Sequence, residues 1–138
     1  MSDPKEEKNK QCGKEVEIKW KMDSIVMAHA HRLREAAKQL GEVGQHCLRE
    51  EIKKLNQVSA YFEDICRWME PLVPCDLMPY DGGVCLGFEQ KGRCIEVLIV
   101  PGKRITLRYW GRGPGWHHVE CANAYEAADE IQYKLKRP

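Results

Sequence analysis

A chain of 138 residues is long enough to bury one core without metals or disulfides, so a single domain is expected. Its 43% hydrophobic and 31% charged residues exclude a disordered or fibrous polymer, and a net charge of +1 leaves no whole-chain field drawing it to nucleic acid or a membrane surface. No apolar run approaches the roughly 20 residues of a membrane span, and the opening MSDPKEEKNKQCGK lacks the apolar stretch of a secretory signal, so a cytoplasmic address is expected.

Residues 1–14 carry five charges in the first eight positions and almost nothing apolar, which predicts a flexible tail ahead of one domain over 15–138. Glu15 to Lys21 alternates as E-V-E-I-K-W-K, with Val16, Ile18 and Trp20 on one side, the pattern of a short edge strand. A helical half follows over about 23–72. Asp23 or Ser24 offers a cap, and Val26, Ala30, Leu33, Ala37 and Leu40 recur at helical spacing. The apolar stripe resumes after Val43 and runs through Leu48, Ile52, Leu55, Val58, Phe62, Ile65, Met69 and Leu72. Gly41 and Gly44 favour a turn between two antiparallel helices over one bent helix. Pro71, Pro74 and Pro79 then stop helix formation.

From Val84 the period drops to two. V-C-L-G-F-E-Q and R-C-I-E-V-L-I-V flank Lys91-Gly92, a tight hairpin that sets Phe88 against Ile95, Leu86 against Val97 and Val84 against Ile99. A three-residue loop at Pro101-Gly102-Lys103 extends that apolar row with Ile105, Leu107 and Tyr109, whereas a two-residue loop would bring Thr106 and Arg108 there. The opposite face then holds Cys85, Glu89, Cys94, Glu96, Leu98, Arg104, Thr106, Arg108 and Trp110, with Glu96 and Arg108 as cross-strand neighbours. Trp116 to Cys121 forms a fourth short strand. Asn123 caps a closing helix with Tyr125, Ala128, Ile131 and Leu135 on one face. The predicted fold class is α+β: an N-terminal helical pair, a three- to four-stranded antiparallel meander and a C-terminal helix, with the helices on one face of the sheet.

Pro101 to His118 contains Lys103, Arg104, Arg108 and Arg112 among Tyr109, Trp110 and Trp116, with no acidic residue. Trp, Tyr and Arg dominate the energetics of protein interfaces, and cations with stacking faces also suit single-stranded nucleic acid. A solvated strand face with core-capping tryptophans has the same composition. Adjacent His117 and His118 point to opposite faces of a strand, so at most one of them joins Cys121, too few ligands for a metal. His29 and His31 diverge on a helix, and His46 does not face Cys47. Seven cysteines without a Cys-x-x-Cys pair read as small buried hydrophobes in a reducing compartment. No phosphate loop, nucleophile elbow or zinc-helix motif occurs, and no cofactor is expected.

Met78-Pro-Tyr-Asp-Gly-Gly-Val-Cys-Leu-Gly-Phe-Glu, with Lys91-Gly-Arg-Cys-Ile-Glu-Val-Leu-Ile after it, resembles a pattern in many small uncharacterised bacterial proteins. There P-x-x-D-G-G-V-x-L-x-W/F precedes a tight turn and a G-R-x-x-E-x-x-I strand. The resemblance covers about residues 60–110 and implies a bacterial source and this sheet, with no established activity. Small proteins with a helical arm on a compact sheet are also frequent among antitoxins and defence accessories.

The residues therefore point to a non-enzymatic adaptor, regulatory or antitoxin-like defence-accessory protein. It would bind another protein through Arg104, Arg108, Trp110, Arg112, Trp116 and His117. The alternative is a single-stranded RNA- or DNA-binding module using Arg104, Arg108, Tyr109 and Trp110. The apolar row of the second helix also admits a homodimer through the helical half.

Overall fold

A computed structural model of the chain describes residues 4–110 and 115–136, with side chains from residue 13 onward. Two long helices, α1 (Pro4–Lys38) and α2 (Gly41–Met69), lead into five strands and a closing helix. The strands are β1 (Asp76–Tyr80), β2 (Gly83–Gln90), β3 (Arg93–Ile99), β4 (Ile105–Trp110) and β5 (Trp116–Cys121), and the helix is α3 (Ala124–Lys136). The α+β class holds, and the sheet is an antiparallel meander in the order β1-β2-β3-β4-β5, with five strands instead of three or four.

The strand registers follow the apolar alternation. Val84 lies opposite Ile99, Leu86 opposite Val97 and Phe88 opposite Ile95, while Ile95 and Val97 meet Tyr109 and Leu107 on β4. The three-residue loop is thus the one adopted, because a slip by one residue would have turned the whole row away from the helices. That row joins Val58, Phe62, Ile65 and Met69 of α2 and Ala128, Ile131 and Leu135 of α3 in one buried core.

The added strand is β1, where the sequence promised only a proline-containing link. Pro79 lacks an amide donor, which an edge strand tolerates and a central strand does not, and β1 is an edge strand. Leu77 of β1 points into the core, whereas Met78 and Tyr80 point away from it.

The amino-terminal expectations are corrected. α1 begins at Pro4, so residues 4–14 belong to a helix and not to a tail, and Glu15 to Lys21 continues that helix instead of adding a strand. Asp23 and Ser24 therefore lie inside α1 and cap nothing. The alternation of Val16, Ile18 and Trp20 competed with the helical spacing of Ile18, Met22 and Ile25. The helical face prevails because α2 and the sheet lie beneath it. Ile18 and Met22 are each 2% exposed, against 47% for Val16 and 70% for Trp20.

Two helices, not one, fill the helical half. The chain turns at Gln39 and Leu40, and Gly41 takes a φ of +66° that favours glycine. α2 packs on α1 of the same chain. Beyond the sheet this hairpin holds together through small residues, with Ala30, Ala37 and Gly44 buried between the helices. A Cβ on Gly44 would stand 2.3 Å from the Ala37 carbonyl oxygen and 2.8 Å from Leu40 Cβ. Gly44→Ala is accordingly expected to destabilise by about 2 kcal/mol in urea titration. Gly13→Ala, in a helical position with open space around it, is expected to stabilise by a few tenths of a kcal/mol or more.

The closing helix starts where expected. Asn123 Oδ1 accepts the Glu126 amide at 2.8 Å, and Glu126 reaches back to the Ala122 amide at 3.2 Å. Its buried stripe is Ala124, Ala127, Ala128, Ile131 and Leu135. Tyr125, assigned to that stripe from spacing, instead faces solvent and packs edge-on against Trp68, with ring centroids 5.2 Å apart.

Candidate functional site

The helices cover one face of the sheet and leave the other open. On the open face of β4 stand Thr106, Arg108 and Trp110, since alternate residues of a strand share a face. β5 runs antiparallel beside it, placing Glu120, His118 and Trp116 opposite those three. The expected pairing of Glu96 with Arg108 is also present on the β3–β4 ladder.

These neighbours form a connected cluster. Arg108 donates to Glu96 Oε2 in a charge-assisted hydrogen bond, and the Cys85 thiol approaches the same oxygen at 3.5 Å. The bond to Glu96 raises the Arg108 pKa above its ordinary value and holds its charge in place. Cys85 is pushed up to about 12, first by burial and then by the Glu96 charge, so it stands as a neutral thiol. Arg108 Nε is buried and has no hydrogen-bond partner among the described residues.

The guanidinium also lies over the Trp116 ring, 5.4 Å from its centroid, and Trp116 meets Trp110 edge-to-face at 5.3 Å. Both tryptophans are nonetheless largely in solvent, Trp110 at 62% and Trp116 at 45% exposure. A braced arginine against a pair of exposed indoles is a stiff, amphipathic surface that loses little side-chain entropy on contact with a partner.

Of the site residues named from sequence, Arg108, Trp110 and Trp116 are brought together. Arg104 is exposed just ahead of β4, two residues before Thr106. Arg112 lies outside the described residues. His117 stands on the opposite side of the sheet, stacked on Tyr109 with a centroid distance of 5.5 Å and an interplanar angle of 16°. Lys134 sits over the same tyrosine ring at 4.6 Å. The alternation of β5 puts His118, not His117, beside Arg108. That position could be read only once the β4–β5 register was known.

The open face also gains Met78 and Tyr80 from β1, both exposed, which sequence reading missed because it left β1 as a link. His29 serves the fold, with Nε2 3.3 Å from the Gly83 carbonyl oxygen and Nδ1 2.7 Å from Arg32. Among the described residues, no three His, Cys, Asp or Glu side chains converge as a metal ligand set requires. None of the described helices is long and apolar enough to cross a membrane.

The hairpin pattern that the sequence resembles fits from Asp81 onward. Upstream, one residue, Tyr80, separates Pro79 from Asp81 where the pattern has two. The chain matches no protein-family model, no curated protein and no solved structure with which it was compared.

Proposed function

We propose that the chain is a binding protein, an adaptor or regulator of the antitoxin or defence-accessory kind, which grips another protein with the open face of its sheet. The observation that carries this reading is the exposed Trp110–Trp116 pair, with Arg108 fixed over Trp116 by Glu96. Exposed indoles backed by an arginine have the composition of an interface hot spot. Met78 and Tyr80 widen the apolar area on the same face.

The alternative, single-stranded nucleic acid, draws less support from this arrangement. Arg108 already spends its charge on Glu96, and Asp76, Glu89 and Glu120 add negative charge to the face that a phosphate backbone would approach.

The test is capture from a host lysate, with and without nuclease, by the tagged chain and by the Trp110→Ala/Trp116→Ala variant. A protein that survives nuclease and falls at least about tenfold with the variant is the expected result. Equal recovery by both chains would remove the assignment of the open face. Material lost with nuclease, and bound in a salt-sensitive way, would transfer the face to nucleic acid.

A further inference from the structure

The two edges of the sheet are not protected alike. β1 is five residues long, contains Pro79 and runs beside α1, with Lys21 of that helix 3.9 Å from Asp76. Proline, charge and a covering helix are the means by which sheet edges resist further pairing. β5 lacks the proline, and its one carboxylate, Glu120, has no ion-pair partner among the described residues. It is six residues long, it contains neither proline nor lysine, and all six residues pair with β4 in unbroken register without a bulge. Among the described residues, no backbone hydrogen bond engages the outer groups of Trp116–Cys121. A straight, unpaired row of N–H and C=O groups is a template for another strand.

We propose that the strand it accepts is β5 of a second copy of this chain, joined antiparallel about a two-fold axis midway between Val119 and the partner's Val119 to make one ten-stranded sheet. Such an axis stands perpendicular to the sheet, so it pairs only residues of the same face, and it must lie midway between one residue of β5 and that same residue of the partner. Centred on Val119, the register sets His118 against the partner's Glu120, and Glu120 against the partner's His118, both on the open face. Val119, half-buried on the helix side, meets the partner's Val119. Centred on His118, it would oppose two imidazoles and set Trp116 against a carboxylate.

Hydrogen-bond complementarity selects the first register, because an imidazole N–H of His118 donates to the Glu120 carboxylate. Both His118 and Glu120 are exposed, and neither has an ion pair or side-chain hydrogen bond among the described residues, so each is free for the partner. The interface is a short one, at the small end of the size range, so association is expected to be weak.

The pairing leaves both open faces on the same side of the extended sheet. Trp116 then lies opposite the partner's Ala122, which separates the two Trp116 side chains by about 20 Å along the strands. The dimer therefore presents its tryptophan clusters in duplicate and gains by avidity on any two-fold target. The pairing itself rests on the backbone edge and stands apart from the role assigned to the open face.

Sedimentation velocity of the full chain, from the micromolar into the millimolar range, tests it. The mass is expected to climb from one chain toward two. His118→Glu, which sets a carboxylate against the partner's Glu120 while facing Arg108 within its own chain, weakens association about tenfold across the two symmetric contacts. His118→Glu/Glu120→Lys, with the polarity reversed, restores it. Glu120→Lys alone makes the same test from the other side if His118→Glu disturbs the fold. Trp110→Ala, on β4, leaves association unchanged while removing the open-face contact, so the two readings fail separately. A single-chain mass throughout the series, or a dimer insensitive to both charge variants, would overturn the proposal.

Discussion

Gly83→Ala is expected to lower stability by at least about 3 kcal/mol, at or beyond the upper end of ordinary overpacking. Gly83 opens β2 opposite Tyr80, and a Cβ there would lie 1.9 Å from the Ile99 carbonyl oxygen and 3.0 Å from its carbon. The obstacle is backbone, so no rotamer change relieves it. β3 would have to move, and with it the contacts of Ile99 with Val84 across the ladder. Gly82 makes the comparison. It has a φ of +80° and open space around it, so Gly82→Ala meets only the left-handed penalty of about 1–2 kcal/mol. Urea titration of the two variants separates the effects. Equal losses would mean that the close approach at Gly83 relaxes freely.

The second large effect is loss of stability in alkali. Cys66 is pushed up to about 12 and Cys121 to about 11, each chiefly by burial and then by nearby glutamates, and Cys85 stands at about 12 as described. In the folded chain these thiols keep their protons, while in the unfolded chain they lose them near the ordinary value of 9.0. The unfolded state therefore binds fewer protons above pH 9, and stability falls as pH rises from there toward 11 or 12. Each thiol contributes up to about 1.4 kcal/mol per pH unit, and the three together up to about 4. Against a total stability of about 5–15 kcal/mol, that is enough to unfold the chain near the top of the window. Urea midpoints measured at stepped pH should show the decline begin near pH 9. Cys66→Ala/Cys121→Ala should flatten it by about two thirds of the thiol share. An unchanged slope in that variant would assign the alkaline loss to other groups.

Which parts of the structure were legible in advance depends on how many local signals agreed. The β2–β3–β4 meander was readable because near-strict alternation over Val84–Phe88, Ile95–Ile99 and Ile105–Tyr109 admits one register that turns the row of Val84, Leu86, Phe88, Ile95, Val97, Ile99, Ile105 and Leu107 inward together, leaving Cys85 and Leu98 on the other face. The stripe of α2 was readable for a similar reason, since Leu55, Val58, Phe62, Ile65 and Met69 recur over several turns and all are buried. In α3 the cap at Asn123 was legible and the place of Tyr125 was not, because alanines can line a buried stripe as well as an aromatic ring can.

The sequence by itself determined the class of α2, of α3 and of the second half of α1, the turn that splits the helical half and the registers of the central strands. These follow from period, from glycine and proline stereochemistry, and from the need to bury one face. Tertiary structure decided the rest. Residues 15–21 suit either a strand or a helix, and only the surface beneath them selected the helix. Pro79 admits a strand only where the sheet ends, and that edge is set by global topology. The site belongs to the same class of decision. Arg108, Trp110 and Trp116 meet, and His117 turns away from them, because the β4–β5 register fixes which alternate residues share a face. No local pattern in β5 encodes that register, since it is set by which residues of β4 and β5 come to lie opposite each other.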